Sequence, residues 1–311
     1  MQIEENVALN KVTTLAIGGP AKGFVTVSNI DQLKEALLHS FDYGLEFLVI
    51  GGGSNILVSD EGFNGLIIKN QISGIEQNGD TLKVKSGTSL QDLVNFSIEK
   101  DLGGLHKLNG IPGTVGGAIF GNAGAFGQTI SDYLQSVTTL NPKDQSLMVL
   151  SKDECQFEYR DSGFKRNGLI ILEVELKLPN QDQELLKKEA QEVLEKRLKK
   201  YPPGILCPGS FFKNLFINKL PEGVQKQIPK ERDYFGKVPA WFFLDEVGAK
   251  GDQLGQIKIA DFHGNLFINL GEGNAKDFYE LAKKYFIKVK EKFGVELEPE
   301  VQFINLPPLS Q

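Results

Sequence analysis

The sequence predicts an α+β protein, on the evidence of two kinds of segment. Short runs of Ile, Leu and Val bounded by glycine, such as 46–50 (EFLVI) and 65–69 (GLIIK), are typical of strands. Segments with apolar residues at helical spacing, such as 31–41 (DQLKEALLHSF), are typical of amphipathic helices. Both kinds occur throughout a chain of 311 residues, which is long enough for two or three domains.

The middle of the chain continues this mixed pattern. Residues 81–86 (TLKVKS) alternate like a half-buried strand, and 88–104 are predicted to form a helix with a capping box from Thr88 to Gln91. Strands are also predicted at 136–140, 146–150 and 169–178.

A long charged helix is predicted over 182–200, and a domain boundary is placed after it because Pro202 and Pro203 end it. Its apolar residues are expected to face inward: Leu185, Leu186, Ala190, Val193, Leu194 and Leu198. The last third has one helix that opens at Pro239 and another over 275–293 that Gly294 stops.

Composition and charge exclude several functional classes. Hydrophobic residues at 41% and charged residues at 24% are ordinary for a folded globular protein. Cys155 and Cys207 are too few for a disulfide framework, and the three histidines, His39, His106 and His263, are too dispersed to predict a metal site. The net charge of −6 argues against nucleic-acid binding, which needs a concentrated basic face.

The N-terminus predicts a cytoplasmic location. MQIEENVALNKV has acidic residues where a signal peptide carries basic ones, and no apolar region follows it. No window approaches the ~18 consecutive apolar residues of a membrane span. We therefore expect no membrane partner, and the sequence indicates no obligate protein partner.

Glycine is concentrated in two loops. It makes up 34 of 311 residues, about 11% against the ~7% that is typical. In the first loop, EFLVIGGGSN (46–55), three glycines follow a strand, and their backbone N–H groups can point together at a phosphate. A Rossmann turn is disfavoured because Ile56 replaces its last glycine and a strand-turn-strand pattern follows. A tight turn without a ligand stays open.

The second loop, GIPGTVGGAIFGNAGAFG (110–127), has seven glycines in eighteen residues. An ordinary hairpin needs few glycines, whereas a loop that wraps closely around a planar or phosphorylated ligand needs many. Two such loops favour a dinucleotide held at its pyrophosphate by both. A loop without a ligand stays open here too.

Six blocks of sequence, in order, resemble the UDP-N-acetylenolpyruvoylglucosamine reductase family, the flavoenzymes of peptidoglycan synthesis. The blocks are TTLAIGGPA (13–21), VIGGGSN (49–55), IPGTVGGAIFGNAGAFG (111–127), YRDSGFK (159–165), GSFFKN (209–214) and LEPEVQFI (297–304). The resemblance covers residues 7 to 304. It implies a PCMH-type FAD-binding fold of two α+β subdomains, expected at 1–72 and 73–200, and a C-terminal α+β substrate-binding domain at 201–311.

The resemblance implies FAD as cofactor and NADPH as co-substrate. We expect noncovalent FAD, because neither 50–55 nor 110–127 contains the histidine or cysteine that a covalent link normally needs. The FAD-binding residues are expected in the two loops: Gly51, Gly52, Gly53, Ser54, Asn55, Pro112, Gly113, Thr114, Gly116, Gly117, Asn122 and Gly124.

The stretch CPGSFFKN (207–214) places a cysteine and a serine beside one turn. The resemblance makes Ser210 the proton donor, completes the catalytic site with Arg160 and Glu300, and gives Cys207 no role. In the family, a hydride passes from flavin N5 to C3 of the enolpyruvyl group of a UDP-sugar. C2 becomes an enolate and is then protonated.

The three residue types suit this chemistry. An enolate carbon is basic enough for a weakly acidic serine hydroxyl to protonate it. Charge that develops on the substrate oxygens needs fixed donors, each worth roughly 3–4 kcal/mol, and Arg160 offers a planar bidentate pair. Glu300 helps only when protonated, because an ionised carboxylate would repel the anion. Taken alone, each of these residues is typical of a surface or a turn. The hypothesis rests on their joint occurrence in the six ordered blocks.

For the UDP part of the substrate, the resemblance indicates Tyr159, Lys200, Asn214 and Lys250. The chain departs from the family at two points. One branch of the family has a gating tyrosine between YRDS and the long helix, where this chain has none, and Gln302 replaces a family arginine. Two alternatives stay open: a PCMH-type flavin oxidase of another substrate, and a catalytically silent nucleotide-sugar binding protein.

Overall fold

The structure is a computed structural model that describes residues 2–310, and it is an α+β fold. The strands are β1 (Glu4–Ala8), β2 (Pro20–Val27), β3 (Glu46–Ile50), β4 (Ile56–Val58), β5 (Phe63–Asn70), β6 (Ile75–Asn78), β7 (Thr81–Lys85), β8 (Gly124–Ala125), β9 (Gln128–Thr129), β10 (Leu134–Leu140), β11 (Leu147–Ser151), β12 (Ile170–Lys177), β13 (Leu215–Phe216), β14 (Lys237–Val238), β15 (Gln253–Leu254), β16 (Ile257–Ile259), β17 (Phe267–Asn269) and β18 (Gln302–Ile304). The α-helices are α1 (Ile30–Asp42), α2 (Leu90–Glu99), α3 (Val115–Phe120), α4 (Phe164–Asn167), α5 (Gln183–Lys200), α6 (Glu222–Gln225), α7 (Ala240–Glu246) and α8 (Ala275–Phe293).

The chain forms two compact units, and each draws on separate stretches of sequence. The first unit runs to Val7 and then takes in Ala21–Gly52 and Asn64–Pro203, and the second takes in Ala8–Pro20, Gly53–Phe63 and the chain from Gly204 onward. The first glycine loop is therefore divided, with Gly51 and Gly52 in the first unit and Gly53 in the second. The predicted subdomain boundary at residue 72 stays a prediction.

Two larger sheets build the first unit, which also contains the two-stranded β8–β9 sheet. One has the strand order β1-β2-β5-β3, with β3 and β5 parallel, and the other is an antiparallel sheet of order β11-β10-β12-β7-β6. Helix α1 buries Leu33, Ala36 and Leu37 against the first sheet, because their spacing places them on one helix face. Helices α2, α3 and α5 contribute to the core beside the second sheet.

The second unit has an aromatic core around α7 and α8. β4 and β18 form a parallel pair, and β15, β16 and β17 form a small antiparallel sheet. Helix α8 begins after Asn274, whose side chain accepts from Asp277 N, and ends at Gly294 with φ 66°, as the sequence predicts. Glycine suits that left-handed position because it has no Cβ to clash.

The predicted capping box of α2 is wrong. The Ser89 hydroxyl caps the helix by accepting from Asp92 N at 3.3 Å. The Thr88 hydroxyl instead accepts from Gly74 N at 3.0 Å. The Thr88 side chain, which the local pattern assigned to the helix cap, is therefore bonded to Gly74, just before β6.

The predicted inner face of α5 is too wide. Leu186, Ala190 and Val193 are buried, but Leu185 and Leu198 are 45% and 42% exposed. Leu194, eight residues after Leu186, is half-buried beside Gly110, whereas Leu185 and Leu198 lie off this face and are exposed to solvent.

Helix α3 lies inside the second glycine loop, where the sequence analysis predicts no helix. The Thr114 hydroxyl caps it by accepting from Gly117 N at 3.3 Å. Val115 and Ile119 are fully buried. Burial of this apolar face offsets the low helix propensity of its two glycines.

Candidate functional site

Within the first unit, Gly51 and Gly52 of the first glycine loop lie against the second glycine loop. A Cβ at Gly51 would lie 2.3 Å from the Thr114 hydroxyl oxygen, and one at Gly52 would lie 2.8 Å from Gly113 Cα. Glycine is needed here because no other residue leaves room for so close an approach. Gly116 is confined in the same way by Ser86, at 2.9 Å. Residues 51–52 and 113–116 therefore form one continuous surface.

Other features of the second loop fit a bound flavin nucleotide. A Cβ at Gly117 would meet only the Thr114 hydroxyl oxygen, at the ordinary distance of 3.6 Å, so protein packing does not require glycine there. Asn122 donates from Nδ2 to Glu158 O at 2.8 Å, while its buried Oδ1 has no partner among residues 2–310. Buried acceptors without a partner are rare, and a ligand N–H or hydroxyl would satisfy this one.

The YRDS loop is bonded to the second glycine loop at three places. Ser162 Oγ donates to Phe120 O at 2.7 Å and Arg160 Nη2 donates to Gly124 O at 2.6 Å. The third bond joins Asn122 to Glu158, as described above. The three bonds involve residues 158, 160 and 162 of one segment and residues 122, 124 and 120 of the other. The catalytic candidate Arg160 is therefore fixed relative to the loop that is expected to hold the cofactor.

Arg160 itself lies in a tight turn. Glu158 and Asp161 exchange backbone hydrogen bonds, and Arg160 between them has φ 56°. This left-handed conformation is unfavourable for a non-glycine residue, and such positions cluster at functional sites. The Tyr159 ring lies 5.4 Å from the Arg160 guanidinium carbon, within the range of a cation–π contact.

In the second unit, the Ser210 segment pairs with the Glu300 segment. Glu300 N donates to Phe211 O at 2.7 Å, and Lys213 N donates to Glu298 O at 2.8 Å. An antiparallel bridge joins Phe212 and Pro299 between these bonds. Two catalytic candidates that are ninety residues apart in sequence are therefore held on neighbouring strands of backbone.

A buried asparagine that the sequence analysis did not single out fixes the Ser210 segment. Asn265 Oδ1 accepts from Phe212 N and Asn265 Nδ2 donates to Phe212 O, both at 2.8 Å. Asn265 is 2% exposed, so water does not compete for these bonds. The Phe211 ring packs against Phe267 and Phe278, with centroid–centroid distances of 5.1 and 5.3 Å.

Within the second unit, Asn55 of the first glycine loop contacts the Glu300 segment, and Thr14 connects Gly53 with Cys207. Asn55 Nδ2 donates to Glu300 O at 3.1 Å, and Gln302 N donates to Asn55 O at 3.0 Å. Thr14 N donates to Gly53 O at 3.1 Å, and its hydroxyl donates to Cys207 O at 3.0 Å. Thr14 lies in the quoted TTLAIGGPA block, but its bridging position follows only from the fold.

The residues expected to bind UDP are distributed between the units. Lys200 is the last residue of α5 in the first unit, and its ammonium lies 5.1 Å from the Tyr201 ring centroid. In the second unit, Asn214 Oδ1 accepts from Ala240 N at 3.3 Å, so its amide group is oriented by the start of α7. Lys250 pairs with Asp245 at 2.6 Å in this ligand-free structure.

Both cysteines are buried, and neither forms a disulfide. Burial, with the nearby Glu154 charge, raises the pKa of the Cys155 thiol to about 11, so it is protonated at neutral pH. Cys207 is buried as well, three residues before Ser210. Among the described residues, no three His, Cys, Asp or Glu side chains lie close enough to hold a metal ion.

Within each unit, the structure joins some of the predicted site residues. It brings Arg160 to Asn122 and Gly124 within the first unit, and Ser210 to the Glu300 segment within the second. Ser54 and Pro112 lie in the loops where the sequence placed them. Residues 2–310 contain no helix that is long and apolar enough to cross a membrane.

Comparisons with known proteins show the family of the chain. Residues 203–304 match the family described as UDP-N-acetylenolpyruvoylglucosamine reductase, C-terminal domain, and residues 21–149 match the family described as FAD binding domain. A UDP-N-acetylenolpyruvoylglucosamine reductase of Solibacter usitatus is 36% identical over 306 residues, which is 98% of this chain and 97% of the relative. One of Thermotoga maritima is 36% identical over 291 residues, 93% of this chain and 94% of the relative.

A solved structure is similar over nearly the whole chain. It is the crystal structure of UDP-N-acetylenolpyruvylglucosamine reductase (MurB) from Thermus caldophilus, with 33% sequence identity and a TM-score of 0.78. The similarity covers 98% of this chain and 99% of that chain.

Proposed function

Because this chain belongs to the UDP-N-acetylenolpyruvoylglucosamine reductase family, we propose that Ser210, Arg160 and Glu300 form its catalytic site. The enzyme is an FAD-dependent reductase that uses NADPH to convert UDP-N-acetylenolpyruvoylglucosamine to UDP-N-acetylmuramate in peptidoglycan precursor synthesis. The flavin oxidase and the silent binding protein are disfavoured, because relatives that match this chain over nearly its whole length are named as the reductase.

The observation that carries the proposal is the pairing of the Ser210 and Glu300 segments. The bond from Glu300 N to Phe211 O places the carboxyl-bearing residue beside the serine turn, whatever the side-chain rotamers. The hydrogen bonds of Asn265 and the packing of Phe211 restrict the conformation of that turn. A proton donor needs a fixed position, because its contribution to the reaction rate depends on its distance from the reacting atom.

Bound FAD, reduced by NADPH, supplies the hydride that C3 of the enolpyruvyl group receives. Ser210 then donates its hydroxyl proton to C2, which completes the addition of hydride and proton across the double bond. Arg160 binds the substrate carboxylate through its planar guanidinium and stabilises the charge that develops on the enolate. Glu300, in its protonated form, donates a hydrogen bond to the same anion.

The two glycine loops hold the FAD in this proposal. The binding surface consists of Gly51, Gly52, Gly53, Ser54, Asn55, Pro112, Gly113, Thr114, Gly116, Gly117, Asn122 and Gly124. Tyr159, Lys200, Asn214 and Lys250 bind the UDP part of the substrate. For Lys250 this requires exchange of the Asp245 carboxylate for a phosphate oxygen, which a diphosphate of higher charge favours.

We place the enzyme in the cytoplasm, because NADPH and nucleotide sugars are cytoplasmic reactants, and the chemistry requires no protein partner. The direct test is spectroscopic. NADPH should bleach the flavin absorbance of the purified protein, and UDP-N-acetylenolpyruvoylglucosamine should restore it. Normal bleaching without recovery on this substrate would support the oxidase. A colourless protein that FAD cannot reconstitute would contradict every flavoenzyme interpretation.

A further inference from the structure

The carboxylate of Asp245, in the second unit, is only partly paired. Its Oδ2 lies 2.6 Å from Lys250 Nζ, whereas its Oδ1 is buried and has no hydrogen-bond partner in the part of the chain that the structure describes. Asp245 is also the last residue but one of α7, where the final backbone carbonyls of a helix carry partial negative charge. Neither feature favours a carboxylate at this position for the stability of the fold.

The backbone at Gly264 covers the unpaired oxygen. A Cβ at Gly264 would lie 2.2 Å from Asp245 Oδ1, so only glycine permits this close approach. The pair is open to solvent at Lys250, whose side chain is 41% exposed. A ligand can therefore reach the Lys250 ammonium, whereas the buried oxygen of Asp245 stays without a partner.

The same pair is connected to the Ser210 turn. Gly264, which contacts Asp245, is followed in sequence by Asn265. The backbone oxygen of Asn265 accepts from Phe211 N at 3.1 Å, next to Ser210. The Asp245 carboxylate is thus linked to the turn of the expected proton donor through a segment of two residues.

Helix α7 also joins two of the residues expected to bind UDP. Its first residue, Ala240, donates from N to Asn214 Oδ1 at 3.3 Å, and its last turn carries Asp245, which pairs with Lys250. The Asp245–Lys250 pair therefore lies on the element that also orients Asn214.

We propose that Asp245 competes with the diphosphate of UDP compounds for Lys250, and thereby weakens their binding. This inference rests on the proposed role of Lys250 in binding UDP. When a phosphate oxygen replaces Asp245 Oδ2 at the ammonium, the carboxylate loses its one charged partner among residues 2–310, and Oδ1 remains unpaired. The cost of unpairing Asp245 offsets part of the lysine–phosphate interaction.

A second role for the carboxylate, the orientation of Lys250 towards the ligand, is disfavoured. A side chain that positions another is normally held in place by hydrogen bonds of its own. The Asp245 carboxylate accepts from no donor except Lys250 within the described part of the chain. Its anchoring is therefore too weak for precise positioning, whereas competition needs only its charge.

Weaker binding of the diphosphate suits the proposed reaction. The substrate and the product carry the same diphosphate, because only the enolpyruvyl group changes. Binding energy that both share does not lower the barrier of the chemical step, and tight binding of the product slows its release. A competitor for Lys250 thus favours release of the product at the expense of affinity.

Titration calorimetry of the FAD-bound protein with UDP tests the proposal. Asp245→Asn should bind UDP about two- to fivefold more tightly than wild type, the factor that corresponds to a partly exposed ion pair. Glu246→Gln is the matched control, because Glu246 is the next residue of α7 and pairs with Lys292 instead, at 3.3 Å. It should bind UDP like wild type. Unchanged or weaker binding in Asp245→Asn, or an equal gain in Glu246→Gln, overturns the proposal.

Lys250→Met shows whether Asp245 acts through the lysine. This variant should bind UDP more weakly than wild type. In its background Asp245→Asn should have no further effect on the affinity, because no ammonium is left to compete for. The same gain from Asp245→Asn in both backgrounds would indicate direct repulsion between the carboxylate and the diphosphate, and would overturn the competition.

Steady-state kinetics give a second readout. Asp245→Asn should lower the KM for UDP-N-acetylenolpyruvoylglucosamine without raising kcat, since it strengthens the binding of substrate and product alike. A higher KM would show that Asp245 orients Lys250 and would overturn the proposal. FAD absorbance reports that each variant is folded.

The same variants separate this inference from the proposed function. If Lys250→Met binds UDP as tightly as wild type, the proposed role of Lys250 is wrong, and this inference falls with it. If Lys250→Met weakens UDP binding and Asp245→Asn does not strengthen it, only this inference is overturned.

Discussion

The side-chain amide of Asn55 donates a hydrogen bond to the backbone carbonyl of Glu300, with 3.1 Å between the two atoms. Asn55 O also accepts from Gln302 N at 3.0 Å, so Asn55 makes two hydrogen bonds with the backbone of residues 300–302. A residue that the sequence assigns to cofactor binding thus also positions a catalytic candidate.

Asn55→Ala should therefore slow reoxidation of the flavin by the substrate more than its reduction by NADPH, because Glu300 acts only in the second half-reaction. Loss of the bond should also lower the free energy of unfolding by about 1 kcal/mol. Stopped-flow absorbance measures both half-reactions. Gln225→Ala is the matched control, because it removes another amide-to-carbonyl bond of the second unit, from Nε2 to Leu220 O. Equal reoxidation rates in the two variants would refute the positioning role.

Ser210→Ala should leave flavin reduction nearly unchanged and slow reoxidation about 10²–10⁴-fold, the usual contribution of a positioned acid. The turn should survive, because Asn265 and the Phe211 packing hold it through groups other than the hydroxyl. Cys207→Ser should alter neither half-reaction. Stopped-flow traces separate the two: wild-type reoxidation in Ser210→Ala removes serine from the mechanism, and an inactive Cys207→Ser places the thiol in it.

Gly117→Ala should yield a folded protein that binds FAD poorly. The protein itself leaves room for a methyl group at this position, so any loss of FAD reports contact with the ligand. Gly51→Ala should disturb the loops even without FAD, since its Cβ would lie 2.3 Å from the Thr114 hydroxyl oxygen. FAD titration and thermal unfolding of the apoprotein distinguish these effects. Wild-type FAD affinity in Gly117→Ala would exclude this glycine from the binding surface.

Asn265→Ala should lower the free energy of unfolding by about 1–3 kcal/mol, because it leaves the buried N–H and C=O of Phe212 without partners. Asn265→Asp tests the two bonds separately, since a carboxylate still accepts from Phe212 N but cannot donate to Phe212 O. Urea unfolding measures the stability and stopped-flow reoxidation measures the activity. Full activity in Asn265→Ala would show that the Ser210 turn does not depend on this anchor.

Stability should fall as the pH is lowered below about 6.5, in part through His106. Burial lowers the pKa of His106 below its ordinary value of 6.5, although the nearby Glu189 carboxylate opposes this shift and Lys107 adds to it. Its Nδ1 accepts from Gly104 N, which favours the neutral ring. Below pH 6.5 the unfolded chain binds a proton that the folded protein does not, so stability is lost down to the folded-state pKa.

His106→Gln should make the free energy of unfolding less dependent on pH within that window, by at most about 1.4 kcal/mol per pH unit for one proton. Urea unfolding at a series of pH values measures this slope. His39→Gln, at a partly exposed histidine of α1, controls for a general effect of removing an imidazole. An unchanged slope in His106→Gln would show that this histidine does not carry the acid sensitivity.

Local sequence determined most of the elements. The strands β3 and β5, the helices α1, α5 and α8 and the Gly294 stop follow from apolar spacing and from residues with restricted backbone conformations. The six ordered blocks likewise determined the family and the candidate residues Arg160, Ser210 and Glu300. Such features depend on neighbours within a few positions, or on motifs that remain readable in one dimension.

Only the tertiary structure decided how those residues are held. The capping role of Ser89, the anchoring of Phe212 by Asn265 and the bond from Asn55 to Glu300 each depend on partners that folding brings close. A buried asparagine and an exposed one look alike in sequence, because the value of an amide hydrogen bond depends on whether water competes for it. Burial is a property of the whole fold, so these positioning contacts have no local signal.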